Sequence, residues 1–241
     1  MSENLQDGNV GNLGDILKHT ALVQLARIFS ETIQAEKYYL DSHSYLYQSR
    51  MASGSWHEQT QILLNISNLY QDYIDVELPY VNKGEYLCSS GLVHHLIPDA
   101  HLILCETNRT TREWLLQQLA DNRVSYHTVK EQMVNWLKGR SFQQLPNLLA
   151  LIDPFELTED LWAASSQCLG KMLLADAPAL ILVFDYQKKT IRTWSKMDIN
   201  HIQLAASISK QPYHLAVYAS DVFVEATRER LGKMGWHIPP N

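Results

Sequence analysis

Leu149-Ala150-Leu151-Ile152-Asp153-Pro154-Phe155-Glu156 decides how the rest of the chain is read. An unbroken apolar run stops at Asp-Pro, and an aromatic residue and a second acid follow. Such a run fits a strand buried on both faces of a parallel sheet. Pro154 ends it, because proline has no N–H to donate and restricts the residue before it. Asp153 is therefore expected at the carboxyl end of a central strand, the edge at which open α/β sheets bind ligands. The alternative for an isolated Asp-Pro is that the acid only caps the next helix.

The same pattern recurs on both sides of this stretch. Tyr38-Tyr39-Leu40 reads as a short strand ending at Asp41, His101 to Cys105 as a strand followed by Glu106, and Ala179 to Phe184 as a strand ending at Asp185. Val124 to Val129 and Tyr213 to Tyr218 are further strand candidates. Helical spacing lies between them. It runs from Asp15 to about Ser30, where Leu17, Ala21, Leu22, Leu25, Ile28 and Phe29 share a face, and again over Ile62 to Ile74, Gly91 to Ile97, Thr110 to Ala120, Glu131 to Leu137 and Thr158 to Leu174. Residues 42–55 read as loop. Residues 77–89, with Pro79 and Gly84, read as irregular. Strands separated by helices predict an α/β fold with a doubly wound, mostly parallel sheet. One domain is expected over 1–241, with a small helical insertion at about 48–90.

Composition narrows the function classes. The chain has 241 residues, 46% of them hydrophobic, enough for a large core. A net charge of −6 argues against a broad nucleic-acid footprint, which needs clustered Lys and Arg. Cys88, Cys105 and Cys168 are widely spaced and form neither a CxxC pair nor a zinc-ligand set. The first residues show no signal-peptide pattern and no apolar run is long enough to span a bilayer, so a cytoplasmic protein without a membrane partner is expected.

Asp41, Glu106 and Asp153 each follow a strand candidate, so a doubly wound fold aligns all three along one edge. An acid after the second strand suits ribose hydroxyls, which donate to a carboxylate. The alternative is that Asp simply favours the turns that end strands.

Gly11-Asn12-Leu13-Gly14-Asp15-Ile16-Leu17-Lys18-His19-Thr20 resembles the N-terminal motif of the bacterial large-subunit ribosomal RNA adenine-N6 methyltransferases. Tyr39-Leu40-Asp41-Ser42-His43 is similar to that family's first strand and Asp-Thr-His turn. Tyr86-Leu87-Cys88-Ser89-Ser90 falls at its Tyr-Pro-Gly-Ser-Pro turn, and Leu151-Ile152-Asp153-Pro154 resembles its Ile-Asp-Pro-Pro-Tyr catalytic loop. The matches keep their order over roughly residues 8 to 190.

The resemblance implies a class I, Rossmann-like methyltransferase fold that binds S-adenosylmethionine. It maps Lys18, Asp41, His43, Glu106 and Glu131 to the cofactor and Asp153, with Phe155 and Glu156, to the reacting centre. Lys18 suits the methionine carboxylate as a point charge. His19 beside it reads as structural. Asp153 suits a target amine, whose lone pair it would orient toward the sulfonium methyl. Phe155 offers a ring for stacking, and Glu156 either adds negative charge that favours a compact amine-bearing substrate over RNA or points to solvent and supports the N-terminus of the helix expected from Thr158. Where the family has a glycine-containing loop, this chain has Ser44-Tyr45-Leu46-Tyr47. Three functions follow as expectations: N-methyl transfer to an amine, another reaction of the sulfonium cofactor such as intramolecular displacement, and a non-catalytic scaffold whose pocket Tyr45 and Tyr47 fill.

Overall fold

A computed structural model of the chain describes residues 11–51, 56–129, 146–153, 178–185, 201–206 and 213–236. Seven strands form one sheet: β1 (Tyr38–Asp41), β4 (His101–Cys105), β5 (Tyr126–Val129), β6 (Leu148–Ile152), β7 (Ala179–Asp185), β8 (His201–Ala206) and β9 (Tyr213–Ala219). Their order across the sheet is β5-β4-β1-β6-β7-β9-β8. The first five of these are mutually parallel, and β9 runs antiparallel to both β7 and β8. The order reverses between β1 and β6, which is the topological switch point of a doubly wound sheet. This is a doubly wound, mostly parallel Rossmann-like sheet, as the alternation of strands and helices predicts. A separate hairpin pairs β2 (Gln48–Arg50) with β3 (Glu85–Leu87).

Helix α1 (Leu13–Thr32) is covered by neighbouring elements along most of its length, from Gly14 to Phe29. Its cap is Asn12 rather than the expected Asp15: the Asn12 side chain accepts from the amides of Gly14 and Asp15. Gly11 precedes it at φ +85°, a left-handed conformation that glycine adopts at no steric cost. The remaining described helices are α2 (Trp56–Leu64), α3 (Gln71–Val81), α4 (Ser89–Leu96), α5 (Arg109–Asp121) and α6 (Asp221–Lys233).

Several expectations change between β1 and β4. The helix expected over Ile62 to Ile74 is broken after Leu64. Ser67 caps a short 3-10 turn at Asn68–Tyr70, and α3 starts only at Gln71. Residues 77–89 are not irregular: α3 runs through Pro79 to Val81 and is followed by β3. Pro79 removes one backbone N–H from α3, while the buried side chains of Tyr73, Ile74, Val76 and Val81 hold the helix in place. The loop expected at 42–55 contains β2. Strand β8 and helix α6 were given no element by the sequence pattern, although Phe223, Thr227 and Leu231 bury one face of α6. The helices expected at Glu131 to Leu137 and Thr158 to Leu174 lie outside the described residues.

Gly91 lets α4 reach the chain after β1. A Cβ built there would stand 2.4 Å from the Tyr47 carbonyl oxygen and 2.9 Å from Leu87 Cδ2. Backbone cannot give way as a flexible side chain can. Gly91→Ala is therefore expected to destabilise the fold by about 1–3 kcal/mol, measured by urea unfolding. A neutral result would mean that α4 sits further from Tyr47.

A candidate active site at the sheet switch point

The register places the strand-end acids at two depths. Asp41 pairs with Leu104 on one side and Leu151 on the other. Glu106 and Asp153 therefore lie two residues beyond the Asp41 level, at roughly 7 Å for a rise of about 3.3 Å per residue. They follow β4 and β6, the two neighbours of β1, so two strand spacings of about 5 Å set their chains roughly 10 Å apart. The expected row of acids on one edge is thus a trough whose floor is the segment 42–44, with the Ser42 amide bonded to the Leu151 carbonyl and the Ser44 amide to that of Cys105; Asp41 is buried beneath it and Glu106 and Asp153 follow the flanking strands.

Lys18 reaches this trough from the first turns of α1. Its Nζ lies 2.5 Å from Asp153 Oδ2 and 3.2 Å from Asp15 Oδ1, with the lysine and Asp153 side chains only 9% and 11% exposed. The same nitrogen stands 5.8 Å from the centroid of the Phe184 ring on β7. Asp15 also accepts from the Gly11 amide, which ties the start of the chain to the ion pair. The commonest situation for a helical lysine is exposure. Here the cation is buried at the strand ends, between two carboxylates.

Asp41 is buried and holds the turn that follows it. Its Oδ2 accepts from the Ser89 hydroxyl at the start of α4 and, at 3.3 Å, from the Tyr39 phenol. Its Oδ1 accepts from the His43 amide. Burial pushes its pKa up to about 6, against the opposing pull of the Ser89 hydrogen bond. Ser42 then links the two central turns. Its Oγ accepts from the Asp153 amide at 3.2 Å and lies 2.7 Å from His43 Nδ1. The serine hydroxyl can donate to a bare Nδ1 or accept from a protonated one, and its second lone pair takes the Asp153 amide in either case. Burial lowers the His43 pKa, in keeping with a neutral ring. Nε2 is buried with no hydrogen-bond partner among the described residues. A buried ring nitrogen left in this state is costly, and a hydrogen-bonding group on a ligand would relieve the cost.

Glu106 is half-buried. Its Oε1 accepts from the Asn108 amide at 2.6 Å, and burial raises its pKa. Glu131, Phe155 and Glu156 lie outside the described residues. Tyr47 is held by the neighbouring helices. Its phenol bonds His94 Nδ1 at 2.8 Å, five residues along α4 from Ser89, and its amide donates to Gln118 on α5. Sequence reasoning missed Asp15, Ser42 and Ser89. Asp15 stands three residues before Lys18, a spacing that pairs charges on a helix, and was the one signal available.

Behind the trough, Glu77 of α3 is fully buried. Its Oε1 accepts from the Leu87 amide at 2.7 Å, while Oε2 has no partner among the described residues. Burial raises its pKa to about 8. A carboxyl raised in the folded state stays neutral while the unfolded chain ionises. Stability is then lost as pH rises from about 4.5 toward 8. Asp41 acts with the same sign up to about pH 6. Glu77→Gln keeps the acceptor and removes the titration. It is expected to raise stability at pH 8 by about 1–3 kcal/mol and to flatten the melting temperature between pH 6 and 8. An unchanged pH profile would contradict this account of Glu77.

No family model matches the chain, and no curated protein matches its sequence. Among solved structures, protein LPL1258 from Legionella pneumophila, described under the family label DUF519, superposes with a TM-score of 0.72 at 17% identity, covering 96% of this chain and 98% of its own. At that identity the likeness speaks to the fold. An rRNA methylase from Streptococcus thermophilus matches with a TM-score of 0.42 at 8% identity, over 80% of this chain and 93% of its own. A precorrin-6y C5,15-methyltransferase from Geobacter metallireducens matches with a TM-score of 0.41 at 7% identity, over 81% and 87%. Among the described residues, no helix is long and apolar enough to cross a membrane.

Proposed function

We propose that this chain is an S-adenosylmethionine-dependent enzyme that transfers a methyl group to the nitrogen of a small amine-bearing substrate. The observation that carries this reading is the buried Lys18–Asp153 pair at the switch point of a class I methyltransferase-type sheet. The residues present fit the cofactor. Lys18 would meet its carboxylate, Glu106 its ribose hydroxyls through the oxygen not bonded to Asn108, and His43 Nε2 another of its polar groups. Asp41 holds the turn between them. Glu131 is assigned to the same cofactor site from sequence.

When bound, the cofactor supplies an electrophilic methyl group on a sulfonium sulfur. Asp15, Asp41, Glu106 and Asp153 outnumber Lys18 at this edge, and the excess negative charge suits both a sulfonium and an amine. Asp153 accepts a hydrogen bond from the amine and orients its lone pair, so positioning contributes much of the rate. Phe155 and Glu156, which follow Asp153 directly, are proposed as a stacking face and a second anionic contact for the substrate. The net charge of −6 disfavours RNA as that substrate.

The test is methyl transfer from radiolabelled cofactor to a panel of small amines and to deproteinised large-subunit RNA. Incorporation into amines is expected. Robust incorporation into RNA adenine at moderate salt would overturn the substrate assignment. Glu106→Ala is expected to weaken cofactor binding by about 1–3 kcal/mol, read by calorimetry, and unchanged affinity would remove Glu106 from the site.

A further inference from the structure

We propose that Trp56, Tyr73 and Tyr86 form a buried hydrogen-bond relay that positions His19 beside Lys18, fixing it as a neutral ring with Nδ1 bare and the proton on Nε2. The direction of the relay follows from its first member. The Trp56 indole N–H is a donor only and meets the Tyr73 phenol oxygen at 3.0 Å. The Tyr73 hydroxyl lies 3.1 Å from the Tyr86 hydroxyl. Among the described residues Tyr73 has these two polar neighbours, and an indole cannot accept, so its proton goes to Tyr86. The Tyr86 proton then faces His19 Nδ1 at 2.9 Å. The opposite direction would strand the Tyr73 proton in the core without an acceptor.

All four side chains are buried, from 0% to 3% exposed, so water offers no alternative partner. His19 also stacks on Tyr86, with ring centroids 5.4 Å apart and 26° between planes. Burial, and then the neighbouring Lys18 charge, hold the imidazole pKa well below its usual value.

The relay gives the segment between β1 and β4 a task. Trp56 lies on α2, Tyr73 on α3 and Tyr86 on β3, and together they address one residue of α1 from behind. A charged His19 would set a second cation next to Lys18 in a buried place. A neutral one avoids that repulsion and keeps an N–H donor on that helix. This use of the donor rests on the proposed cofactor site; the tautomer itself does not.

The experiment is long-range proton–nitrogen NMR of the ligand-free full chain, labelled at its imidazole nitrogens, at neutral pH. Loss of one signal set in His19→Gln assigns His19. In the wild type, Nδ1 is expected unprotonated and Nε2 protonated. Tyr86→Phe keeps the stacked ring and removes the donor, so protonation of Nδ1 is expected to appear. Tyr73→Phe is expected to disturb the pattern less, because Tyr86 still donates. A proton on Nδ1 in the wild type, or an unchanged pattern in Tyr86→Phe, would overturn the relay. The wild-type spectrum decides even if that variant does not fold. S-adenosylmethionine is then titrated into both proteins, with about a five- to tenfold loss of affinity expected in Tyr86→Phe. A wild type with the stated tautomer that fails to bind the cofactor would uphold the relay and overturn the proposed function.

Discussion

Replacing Lys18 with methionine is expected to lower stability at neutral pH by about 3–5 kcal/mol, the range for removing one partner of a buried ion pair. For a chain of this length that corresponds to a melting temperature lower by roughly 10 °C. The reason is what remains. Asp15 and Asp153 both turn toward the lysine nitrogen, at 3.2 and 2.5 Å, and Asp153 is nearly as buried as the lysine. Without the cation, one carboxylate loses its charged partner in a place where water barely reaches. Methionine fills similar volume, so the loss reports charge rather than a cavity. Adding Asp153→Leu to Lys18→Met is expected to restore much of the stability, because an apolar pair removes the stranded charge. Thermal and urea unfolding of the single and double variants form the cycle. A loss below about 1 kcal/mol for the single variant would mean that the pair is open to solvent.

Asp153→Asn is expected to reduce kcat for amine methylation by about 100- to 1,000-fold, the range for losing one preorganised charged contact to a reacting centre. Asparagine keeps the size, an acceptor oxygen and the backbone amide that donates to Ser42. It removes the charge that attracts and orients the amine. Cofactor affinity is expected to stay within a few-fold, since Lys18 and Glu106 remain. If Asp153 served only as a helix cap, asparagine would substitute for it and kcat would be unchanged.

The central sheet was legible because its signals are local. Leu148 to Ile152 is an apolar run closed by Asp-Pro, and His101 to Cys105 and Tyr38 to Leu40 are bounded by charge or turn residues. Strand β8 gave no such signal. Among the described residues it is the outermost strand and pairs with β9 alone, so it needs no continuous apolar run. Residues 62–74 misled because Leu63, Tyr70 and Ile74 keep apolar spacing across a break that Ser67 makes by capping a new turn. In the candidate site, Lys18, Asp41, His43, Glu106 and Asp153 were named from sequence, and the parallel register brings together the strand ends that precede Glu106 and Asp153 and carry Asp41. The ion pair was not legible. Lys18 and Asp153 are 135 residues apart and meet only because α1 packs across β6 and β7. The roles of Asp15, Ser42 and Ser89 are likewise hydrogen bonds whose direction no spacing encodes.

The most direct measurement is a calorimetric titration of the purified full chain with S-adenosylmethionine at moderate salt, repeated with its demethylated product. One binding site with a submillimolar dissociation constant is expected for both, weakened in Glu106→Ala. Absence of heat for either ligand at millimolar concentration, from a folded protein, would contradict the account and leave the trough with Lys18 and Asp153 as a purely structural pair.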